Sequence, residues 1–409
     1  MNPPPPASAP TTPPAAASGA LPRRVASIDG YRGLVMLLMM GEVLEFGRVA
    51  RALPASGFWQ FLADQQSHVA WVGCTLHDLI QPSFSFLVGV ALPFSLARRA
   101  ADGQSQWQRT LHAFGRALLL VLLGVFLRSL GRPQTHWTFE DTLTQIGLGY
   151  GFLYLLGWRS VRVQGAAVAV LLVGYWLAFA LFPLPGMDFD WAKAGVQADG
   201  AGNLSGFAAH WNKNTNFAWH FDTWFMNLFP RERPFTNNGG GYSTLSFIPT
   251  LATMMLGLLA GGVLRSARQP LAKVRWFALA GMAALAAGWL CGWTGLCPVV
   301  KRLWTPSWVL FSGGWCFLLL AAFYLVLDVW QRRAWAFVLV VVGMNSIAAY
   351  LIAHLFDGFI KSALPRHLGS GWFTFAGPAY EPLLLGAGVL AVEWLLLWWL
   401  YRRKLWLRI

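Results

Sequence analysis

The chain has 409 residues, of which 12% are charged and 56% hydrophobic, about half the charge of a soluble domain, where roughly 25% is usual. With a mean hydropathy of +0.48, that apolar surface excludes a disordered or water-soluble chain and predicts an all-α, polytopic membrane protein. The net charge of +14 does not read as nucleic-acid binding, because the 31 Lys and Arg fall in short groups between apolar runs rather than in one patch.

Residues 1–22 are Pro, Ala, Ser and Thr rich and predict a disordered tail, without the basic start and apolar core of a secretion signal. A single membrane domain is expected over 23–409. Ten apolar runs are long enough, or nearly so, to span: 30–47, 75–97, 111–130, 141–158, 163–183, 244–264, 273–293, 307–328, 335–356 and 380–401. The first and fourth are short and polar-rich, so other helices should enclose them. Residues 184–243, rich in Gly, Asn, Trp and Asp, predict one long folded loop outside the membrane. Many of the 23 Trp lie near the ends of runs, as suits the headgroup layer.

Charge asymmetry sets the orientation. With the N-terminus inside, 19 Lys and Arg are cytoplasmic and 12 are not, and four of those 12 belong to the long loop, which counts for little. Ten helices in one bundle, N-in and C-in, follow, in the cytoplasmic (inner) membrane. The four cysteines lack zinc-ligand spacing, and no metal is expected. Cys291 and Cys297 flank an outward turn; the sequence leaves open a bridge, but two small apolar residues near a helix end are the more frequent arrangement.

Two stretches carry chemistry. In Ser27-Ile28-Asp29-Gly30-Tyr31-Arg32-Gly33, Asp29 and Arg32 share a helix face at the inner boundary, where Arg32 could meet a phosphate or simply pair with Asp29. In the stretch from Ser67 to Pro82, His68, His77, Asp78 and Trp71 gather at the outer mouth of the second run. Asp78 falls one turn from Thr75 on the same face, and an ionisable group in a span usually faces a cavity or a partner. A neutral His68 could take a proton or attack an acyl carbon. A solvated loop histidine and a helix-capping aspartate are the plain alternative.

Together the stretches read S-x-D-x-x-R-G and then H-x-x-W-x-G-x-T-x-x-D-L-x-x-P-x-F-x-F-x-x-G, carried by Ser27, Asp29, Arg32, Gly33, His68, Trp71, Gly73, Thr75, Asp78, Leu79, Pro82, Phe84, Phe86 and Gly89. This pattern resembles the heparan-α-glucosaminide N-acetyltransferase family and its bacterial branch. Gly239 to Thr250, Lys301 to Ser307 and Gly343 to Ile347 agree in order, so the resemblance runs from about Arg23 to Tyr350. It implies an acyltransferase that takes acetyl-CoA from the cytoplasm and acetylates a sugar amine or hydroxyl on the far side. It places the family's active-site histidine on His68. The family's animal members have an Asn near the outer end of the first span; counting from Arg32-Gly33 puts Val43 there, with Glu42 and Glu45 beside it.

The sequence therefore predicts His68 as base or acyl acceptor, Asp78 as its orienting partner, and Arg32 at the donor phosphates. Mid-span Asn345 and Ser346 could join helices or line a tunnel, and the family likeness inclines Asn345 to the tunnel and the donor. His354 and Asp357, one turn apart at the outer end of the ninth run, could join the site or be ordinary interface residues, and the second reading is favoured. Membrane lipid, acetyl-CoA and an extracytoplasmic sugar or glycan are the expected partners; nucleic acid is not, and the oligomeric state stays open. Two rival functions share these features: a lipid or sugar transporter or flippase, and an inactive partner in a glycan-handling complex.

Overall fold

The computed structural model describes residues 25–407 apart from 201. The predicted tail over 1–22 lies outside the described residues. Among these, the secondary structure is helical without strands. The principal helices are α1 (Ala26–Met40), α2 (Ile80–Ala101), α3 (Gln106–Ser129), α4 (Thr142–Gly157), α5 (Val161–Ala180), α6 (Phe247–Arg265), α7 (Pro270–Trp293), α8 (Pro306–Tyr324), α9 (Phe337–Met344), α10 (Ser346–Leu355), α11 (Asp357–Leu368) and α12 (Glu381–Arg402). Their starts follow ordinary capping chemistry. Ser105 and Gln108 form a capping box on α3, Asp141 accepts from Leu143 N and Thr144 N on α4, and Pro270 and Pro306 open α7 and α8.

Seven helices among the described residues are long and apolar enough to cross a membrane, or eight if the bent pair α9 and α10 is one span. Each of the ten apolar runs holds helix, but not all ten reach that length. The 15-residue α1 tightens into a 3₁₀ turn at Gly41–Leu44, and Glu45, at φ 47°, turns the chain away. The 16-residue α4 is also short. Both are largely buried by their neighbours, which is where polar-rich helices must sit. In the ninth run the two halves meet at 70°, a bend that hydropathy does not register.

Burial orders the bundle. Of the apolar windows, 67% of the one in α6 and 61% of the one in α2 lie inside, against 17% in α7 and 28% in α3 and α5. The last three present Leu118, Phe126, Val170, Leu279 and Trp289 outward, as a lipid-facing rim would. The central helices touch backbone to backbone. A Cβ on Gly89 of α2 would land on the Met254 carbonyl oxygen, and one on Gly257 of α6 on that of Phe86. The α1–α9 contact is made the same way, through Gly33 and Gly343.

The 184–243 region folds into short helices, Trp191–Ala194 and Phe217–Phe225, and a 3₁₀ turn at Gly206–Trp211. Its fully buried Trp211 joins Tyr175 and Phe179 of α5, Trp71, Val300 and Leu303 in a second apolar cluster. Trp71 Nε1 donates to Trp211 O at 3.0 Å, Gly73 N to Val299 O at 3.0 Å and Tyr175 OH to Leu303 O at 2.9 Å. This cluster pins two otherwise separate loops, 66–76 and 294–305, against each other.

Candidate functional site

The two pinned loops deliver His68 and Lys301 to the same carboxylate. Asp78, wholly buried in the 3₁₀ turn that opens α2, is their common partner. Its Oδ1 lies 2.7 Å from His68 Nδ1 and 3.3 Å from Lys301 Nζ. Its Oδ2 accepts from Thr75 Oγ1 at 3.0 Å, Thr75 N at 3.1 Å and Val69 N at 3.3 Å. A carboxylate that receives this many donors is held ionised, which makes it an acceptor only. His68 must then carry its proton on Nδ1, and the Nε2 lone pair is left for other chemistry. The Thr75–Asp78 spacing predicted from the sequence is the spacing that closes this turn.

Lys301 is the residue that sequence reasoning left without a role, although it opens the quoted Lys301-Arg302-Leu303-Trp304-Thr305-Pro306-Ser307 stretch. It is only 5% exposed. Its Nζ is 3.1 Å from His68 Nδ1 and 3.5 Å from Nε2, so the ammonium is close to both ring nitrogens. Burial draws its pKa down, and Asp78 opposes that shift. Neighbouring Arg302 donates to Gly240 O at 2.7 Å and Val69 O at 3.2 Å. It therefore acts as a clamp between the His68 loop and the glycine run. Within that run Gly241 has φ 76°, and a Cβ there would meet the Trp71 ring at 2.6 Å, so no other residue fits without displacing the Trp71 ring.

A cavity of about 500 Å³ opens beside this trio, within the ordinary range for small-molecule sites. Its polar end holds His68, His77, Lys301 and Tyr242, and Met36, Met40, Ile80, Phe84 and Leu127 give it an apolar wall. The His77 ring is 4.6 Å from that of His68, and His77 Nε2 is 3.3 Å from Glu42 Oε1. Glu42 thus approaches His68 through His77. Val43 lines the cavity with an aliphatic side chain, while Glu45 turns away to pair with Arg48 and Lys361. Arg128, Glu140 and Asp141 form a further charged wall, and burial raises the pKa of Glu140.

His354 and Asp357 line this cavity too, so of the two readings open to them the cavity holds over the favoured interface. α10 follows the 70° bend, and His354 Nδ1 donates to Tyr350 O at 2.8 Å, which leaves its other nitrogen free of that bond. His210 is instead tied to Phe182 O at 2.8 Å in the loop region, and His112 to Arg99 at 2.5 Å.

Arg32 and Asn345 are not brought to His68. Arg32 Nη1 lies 3.8 Å from Asp29 Oδ1. Two N–H groups at the start of α1, those of Ala26 and Ser27, donate to the Asp328 carboxylate at 3.0 and 2.9 Å. Asn345 occupies the α9–α10 break, where its amide donates to Leu405 O at 3.0 Å and accepts from Leu407 N at 3.2 Å. Cys291 and Cys297 are free thiols, and Cys297 packs as a small buried residue. Among the described residues no cluster of His, Cys, Asp and Glu has the geometry of a metal site.

No protein-family model matches the chain. Similar curated proteins include the heparan-alpha-glucosaminide N-acetyltransferases of Homo sapiens and Mus musculus. The human protein is 24% identical over 389 residues, which cover 83% of this chain and 54% of the relative. The mouse protein is 22% identical over 430 residues, covering 94% and 60%. The chain spans little more than half the length of these relatives. The likeness carried by its motifs thus extends over most of the chain, at a distance, and its apolar helices make it a multi-pass membrane protein.

Proposed function

We propose, from this distant kinship and the His68 site, that the protein is a transmembrane acyltransferase. It moves an acetyl group from cytoplasmic acetyl-CoA to the amine or hydroxyl of an extracytoplasmic sugar or glycan. The observation that carries the reading is the His68–Asp78 pair at the polar end of a cavity with an apolar wall. A buried carboxylate on Nδ1 leaves Nε2 able to take the acceptor's proton, or to carry the acetyl group itself. The apolar wall along α1, α2 and α3 suits the uncharged arm of the donor. Arg32 lies ten residues before Glu42 on the α1 segment, roughly 15 Å of helix, which is a fitting reach for the donor phosphates if that arm lies along α1. Positive charge concentrated on one side supports the N-in, C-in orientation, which sets His68 on the acceptor side.

The test is direct. Purified full-length protein in lipid nanodiscs is mixed with acetyl-CoA and a panel of amino sugars and neutral sugars, and released CoA thiol is measured. CoA release that depends on both the sugar and His68 is expected. Release no greater than that of His68→Ala across the panel would overturn the reading and favour a transporter or an inactive partner.

A further inference from the structure

An acyl transfer passes through a tetrahedral centre. In the direct route the acceptor's nucleophile bonds to the thioester carbonyl carbon, and the carbonyl π pair moves onto oxygen. His68 Nε2 takes the proton that the acceptor gives up. When the centre collapses the C–S bond breaks, and the departing thiolate recovers that proton as CoA thiol. The oxyanion between these steps needs a donor close to Nε2, because the carbon under attack lies within a few ångströms of it.

Val43, at the position where the resemblance leads one to expect an amide side chain, has nothing to donate. Arg302 holds two backbone carbonyls and is not among the residues that line this cavity. Arg128 lines the cavity beside Glu140 and Asp141. Lys301 is the cation whose Nζ reaches both nitrogens of the His68 ring, at 3.1 and 3.5 Å. Its side chain is 6% exposed and is held at one point by Asp78. A buried, fixed ammonium acts more strongly on a developing charge than one in water, and it needs no reorganisation as the reaction proceeds.

Resting on the acyltransferase reading, we infer that Lys301 is a catalytic residue: its ammonium binds the carbonyl oxygen of the acyl group and stabilises the oxyanion, in the place of an amide donor near Val43. Asp78 then has two tasks, since one carboxylate oxygen fixes the proton of His68 and the position of the ammonium together. The groups that face Lys301 from the surrounding elements are His68, His77, Asp78, Glu42, Cys74 and Arg302.

The experiment compares the parent, His68→Ala, Lys301→Met and Lys301→Arg as full-length proteins in nanodiscs, by CoA release normalised to the folded fraction. Lys301→Met should lose a factor of ~10² to 10³ in kcat with KM for acetyl-CoA little changed. Lys301→Arg keeps a cation beside Asp78; its kcat should still fall at least ~10-fold, because a planar fork cannot set its charge at the same point. A role in stability alone would lower the melting temperature and the folded fraction while leaving kcat per folded protein at the parental value, and would overturn the inference. Lys301→Arg with parental kcat, or Lys301→Met within threefold of the parent while His68→Ala is inactive, would overturn it and leave the acyltransferase reading standing. A parent that releases no CoA overturns both.

Discussion

Lys301 Nζ and His68 Nδ1 lie 3.1 Å apart across 233 positions of sequence, and both contact Asp78 Oδ1. A cation and an imidazole crowded onto one buried carboxylate form a unit whose parts do not fail independently.

Removing the imidazole should cost activity far more than fold. His68→Ala and His68→Gln lose proton transfer, so turnover should fall at least ~10²-fold. Asp78 keeps Lys301, Thr75 and Val69 as donors, so the stability loss should stay near ~1–2 kcal/mol. Thermal melting alongside CoA release checks both, and near-parental transfer by folded His68→Ala would remove His68 from the chemistry.

The carboxylate is the costlier loss for the fold. Asp78→Asn strands Lys301 in the interior, and breaking one side of a buried pair costs ~3–5 kcal/mol. Adding Lys301→Met to Asp78→Asn should return part of that, because no uncompensated charge remains. A double-mutant cycle read by melting temperature decides; strictly additive losses would mean that the pair is not coupled.

Asp222 should make stability depend on pH. It is buried below α6, its Oδ2 accepting from Thr244 N at 2.9 Å, and burial pushes its pKa up to about 7. The unfolded chain gives up this proton at an ordinary carboxyl pKa, near 3.8. Between about pH 4 and 7 the folded state therefore holds the extra proton, and the contribution of Asp222 to stability falls as pH rises through that window. Asp222→Asn keeps the acceptor and should flatten the slope. A melting temperature that varies with pH in the same way in parent and variant would exclude Asp222 as the source.

Glu393 on α12 is fully buried, and among the described residues neither carboxylate oxygen has a hydrogen-bond partner. Such a group is a stability debit of ~1–3 kcal/mol. Glu393→Leu should therefore raise the melting temperature in detergent. A lower one would show that the acid is held by something its neighbours do not reveal.

Orientation is checked by labelling. A Cys placed at Asp102, after α2, should be shielded from a membrane-impermeant thiol reagent in intact cells, while one at exposed Asp199 should react. The reverse pattern would put His68 on the cytoplasmic side.

The helices were legible because apolar runs and Ser, Asp and Pro starts report themselves locally, as Ser105 and Asp141 do. The His68–Asp78 pair was legible for the same reason: ten positions, one turn and one threonine contain it. Lys301 was not, because its place depends on Trp71, Trp211 and Leu303 packing together from three separate segments. The spacing of His354 and Asp357 left both the site and an interface open, and the sequence did not show the bend at Asn345 that precedes them. An uninterrupted apolar run gives no sign of a 70° break, and the residues that occupy Asn345's amide lie sixty positions away, at Leu405 and beyond.

That last connection has a mechanical meaning. By holding Leu405 and Leu407 on one side chain, Asn345 sets the hinge of the bent span against the segment that leaves α12. His354, nine residues further along α10, lines the cavity, so part of the cavity wall is anchored through Asn345 to a segment that is not among the residues lining it.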